Sequence, residues 1–144
     1  MTKYAQGKYT VKNLEKYVGK REPTFRSSWE FSFMTFCDNN PSVLQWASEP
    51  FMIPYQNPFT GRSTVYVPDF LLVYVDRAGQ SHSELIEVKP SRQTTLENAR
   101  NTRDRAAVAL NTAKWAAANA WCRRAGIRFR VVTENDLYQN PSRR

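Results

Sequence analysis

The alternation of apolar and polar positions divides the chain near residue 27. Residues 1–26, MTKYAQGKYTVKNLEKYVGKREPTFR, hold no sustained helical or strand period, which predicts an extended arm with Tyr4, Tyr9 and Tyr17 packing on the body of the domain. From Ser27 the pattern changes. SSWEFSFMTFCDNNP sets Trp29, Phe33 and Phe36 at helical spacing behind a serine N-cap and the first-turn Glu30, so a helix should run to about Asn39. Pro41 then ends it.

The segments VLQWASEPFMIPYQNP and STVYVPDFLLVYV are rich in aromatic and β-branched residues and are separated by Asn57-Pro58-Phe59-Thr60-Gly61; both read as strands. Asp76, Arg77, Ala78 and Gly79 turn the chain into HSELIEVKP, a strand with Ile86 and Val88 on one face and Leu85, Glu87 and Lys89 on the other. Residues 94–125 form the longest helical signal. Leu96, Ala99, Ala106, Leu110, Ala113, Ala117 and Trp121 make its expected apolar stripe, and Gly126 its C-cap. The alternating strand IRFRVVTE follows, then a short helical turn over Glu134–Tyr138. Helix, antiparallel strands, long helix and final strand together predict an α/β sandwich around a small mixed sheet. The long helix should act as a parallel crossover.

A length of 144 residues suits one domain. Twenty-one Lys and Arg against 13 Asp and Glu give a formal charge of +8, which favours a polyanionic partner, nucleic acid first. Cys37 and Cys122 are far apart and outside any C-x-x-C pair, which argues against a disulfide framework or a structural zinc site and for a reducing, intracellular setting. No apolar stretch approaches the roughly 18 residues of a membrane helix, and a soluble protein is expected.

Three charged positions interrupt the apolar strands. Glu87 and Lys89 leave the same face of one strand, and Asp69 follows Pro68 on the preceding one, where the missing backbone donor favours a local irregularity. A hairpin brings all three together. Two converging carboxylates repel and raise each other's pKa unless a cation sits between them, and a hard ion such as Mg²⁺ or Mn²⁺ meets that need with oxygen ligands. Lys89 then supplies charge beside an attacking water or the developing phosphorane oxygens. Glu30 adds an acidic contact if the first helix packs across the same sheet edge. Taken singly, each residue is better explained by ordinary strand-surface pairing or turn capping, and it is their combination that points to chemistry.

VPDF, then IEVK a hairpin later, with RSSWE upstream, resemble the PD-(D/E)xK nuclease superfamily. GKYTVKNLEKYVGK, FRSSWEFSFMTFCDNNPSVLQWASEPFMIPY, YVPDF, IEVKP and NTAKWAAANAWCRRAGIRFRVVTE together resemble the head completion nucleases of tailed phages, a likeness spanning nearly the whole chain. The C-terminal half is also similar to the endonuclease subunit of some cut-and-paste transposons. The resemblance implies a restriction-endonuclease-like mixed sheet flanked by helices, in a single domain over 27–138 with a basic arm (1–26) and a basic tail (139–144). It implies metal-dependent hydrolysis of double-stranded DNA when packaged heads are finished for tail attachment. Asp69, Glu87 and Glu30 would hold Mg²⁺ or Mn²⁺, with the carbonyl of Val88 as a further ligand, and Lys89 would assist the water. The expected setting is the host cytoplasm during assembly and the head-to-tail neck of the virion, beside portal or neck proteins.

Candidate DNA contacts are Lys8, Lys12, Lys16, Lys20 and Arg26 in the arm, Gln93 after the strand, Arg100 and Arg103 with Arg105 as a basic helix face, and Lys114. For Gln93 a capping role competes, and for Lys114 a stem lying over apolar surface. His82 lacks a partner spacing for metal and is expected at a turn or strand edge. Two other functions remain open on the sequence: a non-enzymatic neck or connector protein with a nuclease-like fold, and a transposon endonuclease subunit that needs a partner transposase.

Overall fold

A computed structural model describes residues 6–139; the predictions for Tyr4 and for the tail beyond residue 139 lie outside them. A four-stranded mixed sheet forms the centre, in the order β3 (Val43–Ser48), β6 (Phe70–Val75), β7 (Ser81–Val88), β8 (Arg128–Val132). The first two pairings are antiparallel and β7–β8 is parallel. The crossover between the parallel strands is α2 (Thr102–Ala125), as the sequence predicts. Helix α1 (Ser28–Asn39) covers the opposite face, and α3 (Glu134–Gln139) follows β8.

The alternation along β7 divides the core into two layers. Ile86 and Val88 join Trp46, Phe70, Leu72 and Val132 beneath Phe33, Met34 and Cys37 of α1. Leu85 faces Ala118 and Cys122 of α2 together with Ile53 and Tyr66. The two cysteines are thus buried on opposite sides of the sheet and free.

Helix α1 has its expected limits: the Ser27 side chain accepts from the Glu30 N–H, and Asn40 closes the helix. The other long helix corrects the sequence reading. It begins at Thr102, where the Asn101 side chain accepts from Asp104 N–H, rather than at residue 94. Residues 94–101 form turns after a 3-10 turn at Ser91–Gln93, and Leu96 is exposed. The fully buried stripe falls on Asp104, Val108, Asn111, Ala118 and Cys122; of the predicted positions Ala117 and Trp121 pack half-buried against the same cluster, while Ala106 is exposed, because Ala is a strong helix former but contributes little area to bury and marks the buried face poorly. Gly126 is the left-handed C-cap, φ 77°.

The two long strand segments are also cut. Glu49 takes a left-handed φ of 47° ahead of Pro50, and Pro68 breaks the second run. The inner pieces, β4 (Ile53–Gln56) and β5 (Ser63–Tyr66), form their own hairpin over α2 instead of extending the central sheet.

The arm is extended, as expected, and fastened. Its strands β1 (Gly7–Lys8) and β2 (Thr24–Phe25) pair with each other, and Val18 N–H donates to the Trp46 carbonyl along the edge of β3. Tyr9 is buried and Tyr17 half-buried against Trp46. The Asp38 carboxylate at the end of α1 accepts from Tyr9 Oη (2.8 Å) and from the backbone N–H of Lys12 (2.8 Å) and Asn13 (3.0 Å).

Candidate active site

The β6–β7 register sets Phe70 opposite Ile86, so the residue before β6, Asp69, meets the end of β7. Its carboxylate accepts from Val88 N–H at 2.8 Å. Glu87, on the α2 face and only 4% exposed, has a different partner on each oxygen. Tyr66 of β5 donates to Oε1 at 2.8 Å, and Lys89 Nζ stands 4.0 Å from Oε2. Glu30 arrives from the first turn of α1, where the Arg26 N–H donates to it at 3.2 Å. A cleft of about 350 Å³ opens at this end of the sheet, lined by Glu30, Val88 and Lys89 with Ser27, Trp29, Pro90 and Arg92.

The electrostatics match the crowding. Burial first, then the charge of Asp69, pushes Glu30 and Glu87 each up to about 8. Asp69 rises to about 6, burial outweighing the Val88 N–H and the Lys89 ammonium. Carboxylates that hold protons near neutrality are short of positive charge, and such perturbation concentrates at functional sites.

All four predicted acidic and basic site residues therefore come to one end of the sheet. Two residues of this site escaped the sequence reading. Glu49 donates its backbone N–H to the Asp69 carbonyl at 2.8 Å, and its carboxylate pairs with Arg26 at 3.1 Å. The signal was an acidic residue before Pro50 between two apolar runs, but nothing in the spacing aims it at Asp69. In the sequence Tyr66 is one more strand residue, and only the separate β4–β5 hairpin turns its hydroxyl to Glu87.

The predicted DNA contacts are less uniform. Lys12, Lys20, Arg100 and Arg103 are exposed. Lys8 pairs with Glu22 at 3.5 Å and Arg26 with Glu49. Lys16 turns inward, its ammonium donating to the carbonyls of Asp38 (3.0 Å) and Asn40 (2.8 Å), where it completes the end of α1. Arg100 precedes α2, so the three arginines do not share one helix face. Gln93 lies in the 3-10 turn and its carbonyl accepts from Asn111 at 3.1 Å. His82 sits on β7 at 2.7 Å from Asp76, a strand-edge place as expected. A larger cleft of about 670 Å³ lies at the opposite end of the sheet, by the β6–β7 turn. Its buried Glu84 is matched by Arg130 and Tyr74, each at 2.8 Å.

Residues 40–134 match the family described as TnsA-like endonuclease N terminal. The chain belongs to the TnsA-like endonuclease family. The head completion nuclease of Enterobacteria phage T4 is 34% identical to it over 142 residues, which span 91% of this chain and 92% of that protein. Of the candidate site, the TnsA-like match encloses Glu49, Asp69, Glu87 and Lys89 and stops short of Glu30 and the arm. The relative extends the likeness across α1. As a TnsA-like domain, the chain has the restriction-endonuclease-like α/β architecture that its sheet and flanking helices display.

Proposed function

We propose that this protein is a divalent-metal-dependent endonuclease of double-stranded DNA that acts at phage head completion. The observation that carries the reading is that Asp69, Glu87 and Glu30 reach the same end of the sheet as Lys89, beside an open cleft, in a chain of the TnsA-like endonuclease family.

The donor set suits Mg²⁺ or Mn²⁺. It offers hard carboxylate oxygens, and burial with mutual repulsion leaves those oxygens short of positive charge. Among the described residues no three acidic, histidine or cysteine side chains are already grouped as a ligand set. Glu87 is engaged by Tyr66 and Lys89, and Glu49 by Arg26. Asp69 and Glu87 would hold the ion, with Glu30 and the Val88 carbonyl completing its shell. Bound there, it would polarise a phosphoryl oxygen and ease deprotonation of water.

The chain's own groups do the rest. Lys89, on the cleft side of Glu87, orients the attacking water and stabilises charge on the phosphoryl oxygens. Tyr66 fixes the Glu87 carboxylate through Oε1. Lys12, Lys20, Arg100 and Arg103 hold the phosphate backbone without reading bases. The near full-length likeness to a head completion nuclease, against a TnsA-like match limited to 40–134, favours work in the host cytoplasm during virion assembly, beside portal or neck proteins, over a transposon role.

The test is cleavage of supercoiled and linear plasmid with Mg²⁺, Mn²⁺ or EDTA, beside Lys89→Ala, together with calorimetric titration of Mn²⁺. Divalent-dependent cutting lost in Lys89→Ala, with Mn²⁺ binding weakened in Asp69→Asn, is expected. A folded wild-type protein that neither cuts nor binds Mn²⁺ would leave a non-enzymatic neck protein as the better reading.

A further inference from the structure

The 3-10 turn Ser91–Gln93, which follows Lys89 and Pro90, is held from two sides. Ser91 donates its N–H to Glu134 Oε1 and its hydroxyl to Oε2, each at 2.9 Å. The Gln93 carbonyl accepts from the buried Asn111 of α2 at 3.1 Å. Between them Arg92 brings Nε to 3.5 Å from Oδ1 of Asp104, in the first turn of α2. So many polar contacts fix the direction in which a three-residue turn points. Of that turn only Arg92 lines the cleft, beside Glu30 and Lys89. Lys114 does not line it; its ammonium rests over the Tyr66 ring, 5.6 Å from the centroid.

Asp104 is 3% exposed in its side chain and Arg92 43%. The second Asp104 oxygen accepts from the Arg100 N–H at 3.0 Å. An arginine whose task was to neutralise Asp104 would set its planar fork on the carboxylate through two short parallel bonds. Arg92 instead approaches through Nε alone, and its two terminal nitrogens have no hydrogen-bond partner among the described residues. A braced guanidinium with its fork unspent, on the wall of a cleft, suits the paired oxygens of a phosphate. We propose that Arg92 grips the non-bridging oxygens of the DNA backbone phosphate next to the one that is cut, and so positions the strand; this role rests on the nuclease reading above. Lys89, three residues earlier on the same wall, stays with Glu87 and the attacking water. A phosphate grip sets where the strand lies, whatever its bases.

The contact can be removed from either partner. Single-turnover cleavage with Mn²⁺ is mapped on end-labelled duplexes that carry one neutral methylphosphonate, which deletes the charge and one oxygen of a chosen phosphate. Duplex affinity is read by fluorescence anisotropy with Ca²⁺. Wild type should cut the bond one nucleotide from the methylphosphonate about tenfold more slowly or worse, and other bonds at the usual rate. Arg92→Ala should be slower on the unmodified duplex by on the order of 10–100-fold, yet lose nothing further at the bond beside the methylphosphonate, because the contact is already gone. Arg92→Lys keeps a cation beside Asp104 but not the fork, and should show a partial loss and a partial interference. Unchanged cutting by both variants, or an Arg92→Ala that still slows at that bond as wild type does, would overturn the role of Arg92 alone; the second result would mark a structural effect on the turn. A folded wild type that neither binds nor cuts the unmodified duplex would remove the nuclease reading and this role with it.

Discussion

Glu87→Gln should make the metal-free protein more stable in alkali while destroying the proposed activity. Burial and Asp69 raise the Glu87 pKa from the ordinary 4.5 to about 8. The unfolded chain releases this proton near 4.5 and the folded chain near 8, so the folded state binds more protons between those values and its stability falls as pH rises through them. At about 1.4 kcal/mol for each pH unit, the loss reaches about 5 kcal/mol above pH 8. Because Glu87, Asp69 and Glu30 titrate against one another, this figure belongs to the cluster, and one substitution recovers part of it. Glutamine keeps the shape and an acceptor for Tyr66 but gives up a charge-assisted hydrogen bond, at about 1 kcal/mol. The net expectation at pH 9 in EDTA is a gain of about 2–3 kcal/mol, on the order of 5–10 °C in midpoint for a chain of this size. At pH 5 the gain should vanish. Thermal melts followed by circular dichroism at both pH values provide the measurement. A variant destabilised equally at pH 5 and pH 9 would show that the charged carboxylate is stabilised by Tyr66 and Lys89, and the argument that this site lacks a cation would fail.

The remaining expectations concern the arm and the DNA contacts. Asp38→Asn should cost about 2–3 kcal/mol in urea melts, because Asp38 accepts charge-assisted hydrogen bonds from Tyr9, Lys12 and Asn13. Burial pushes the Asp38 pKa up, but these donors outweigh it and hold the value below 3.8. The wild-type advantage should therefore be complete above pH 3.8 and fade as pH falls through the lowered value. Arg103→Ala should reduce the slope of log affinity against log salt by about 1 in anisotropy titrations and weaken binding to all duplexes alike; an unchanged slope would take Arg103 out of the DNA face.

The fold was legible wherever one residue type dominates its backbone. Ser27 as N-cap, Gly126 as a left-handed C-cap and the two-sided alternation of β7 are local signals with one physical meaning each, and all three hold. What local pattern cannot supply is competition between neighbours. The segment 94–101 carries apolar residues at helical spacing, yet Asn101 offers a better helix start and the turns after Pro90 satisfy the chain first. The strand over 43–56 reads as continuous because Glu49 is not a residue expected at positive φ. That single bend releases β4 from the central sheet and allows β5 to deliver Tyr66 to Glu87.

The same distinction governs the site. Glu87 and Lys89 were readable because two residues on one strand share a face, and Asp69 because a hairpin is the shortest route to its neighbour. Glu30 depended on where α1 packs, which sequence could state only as a condition. Glu49 and Tyr66 come from two further segments and reach Asp69 and Glu87 through tertiary packing alone. Residues legible in sequence thus define where the chemistry sits, and those supplied by packing define how it is poised. Arg26 on Glu49 and Tyr66 on Glu87 each fix a carboxylate next to Asp69 with a side chain from a different part of the chain. With Oε1 of Glu87 held by Tyr66, Oε2 is the oxygen left to turn to an ion, so Tyr66→Phe should weaken Mn²⁺ binding in calorimetric titration, and unchanged binding would show that Tyr66 does not set the Glu87 carboxylate for the ion.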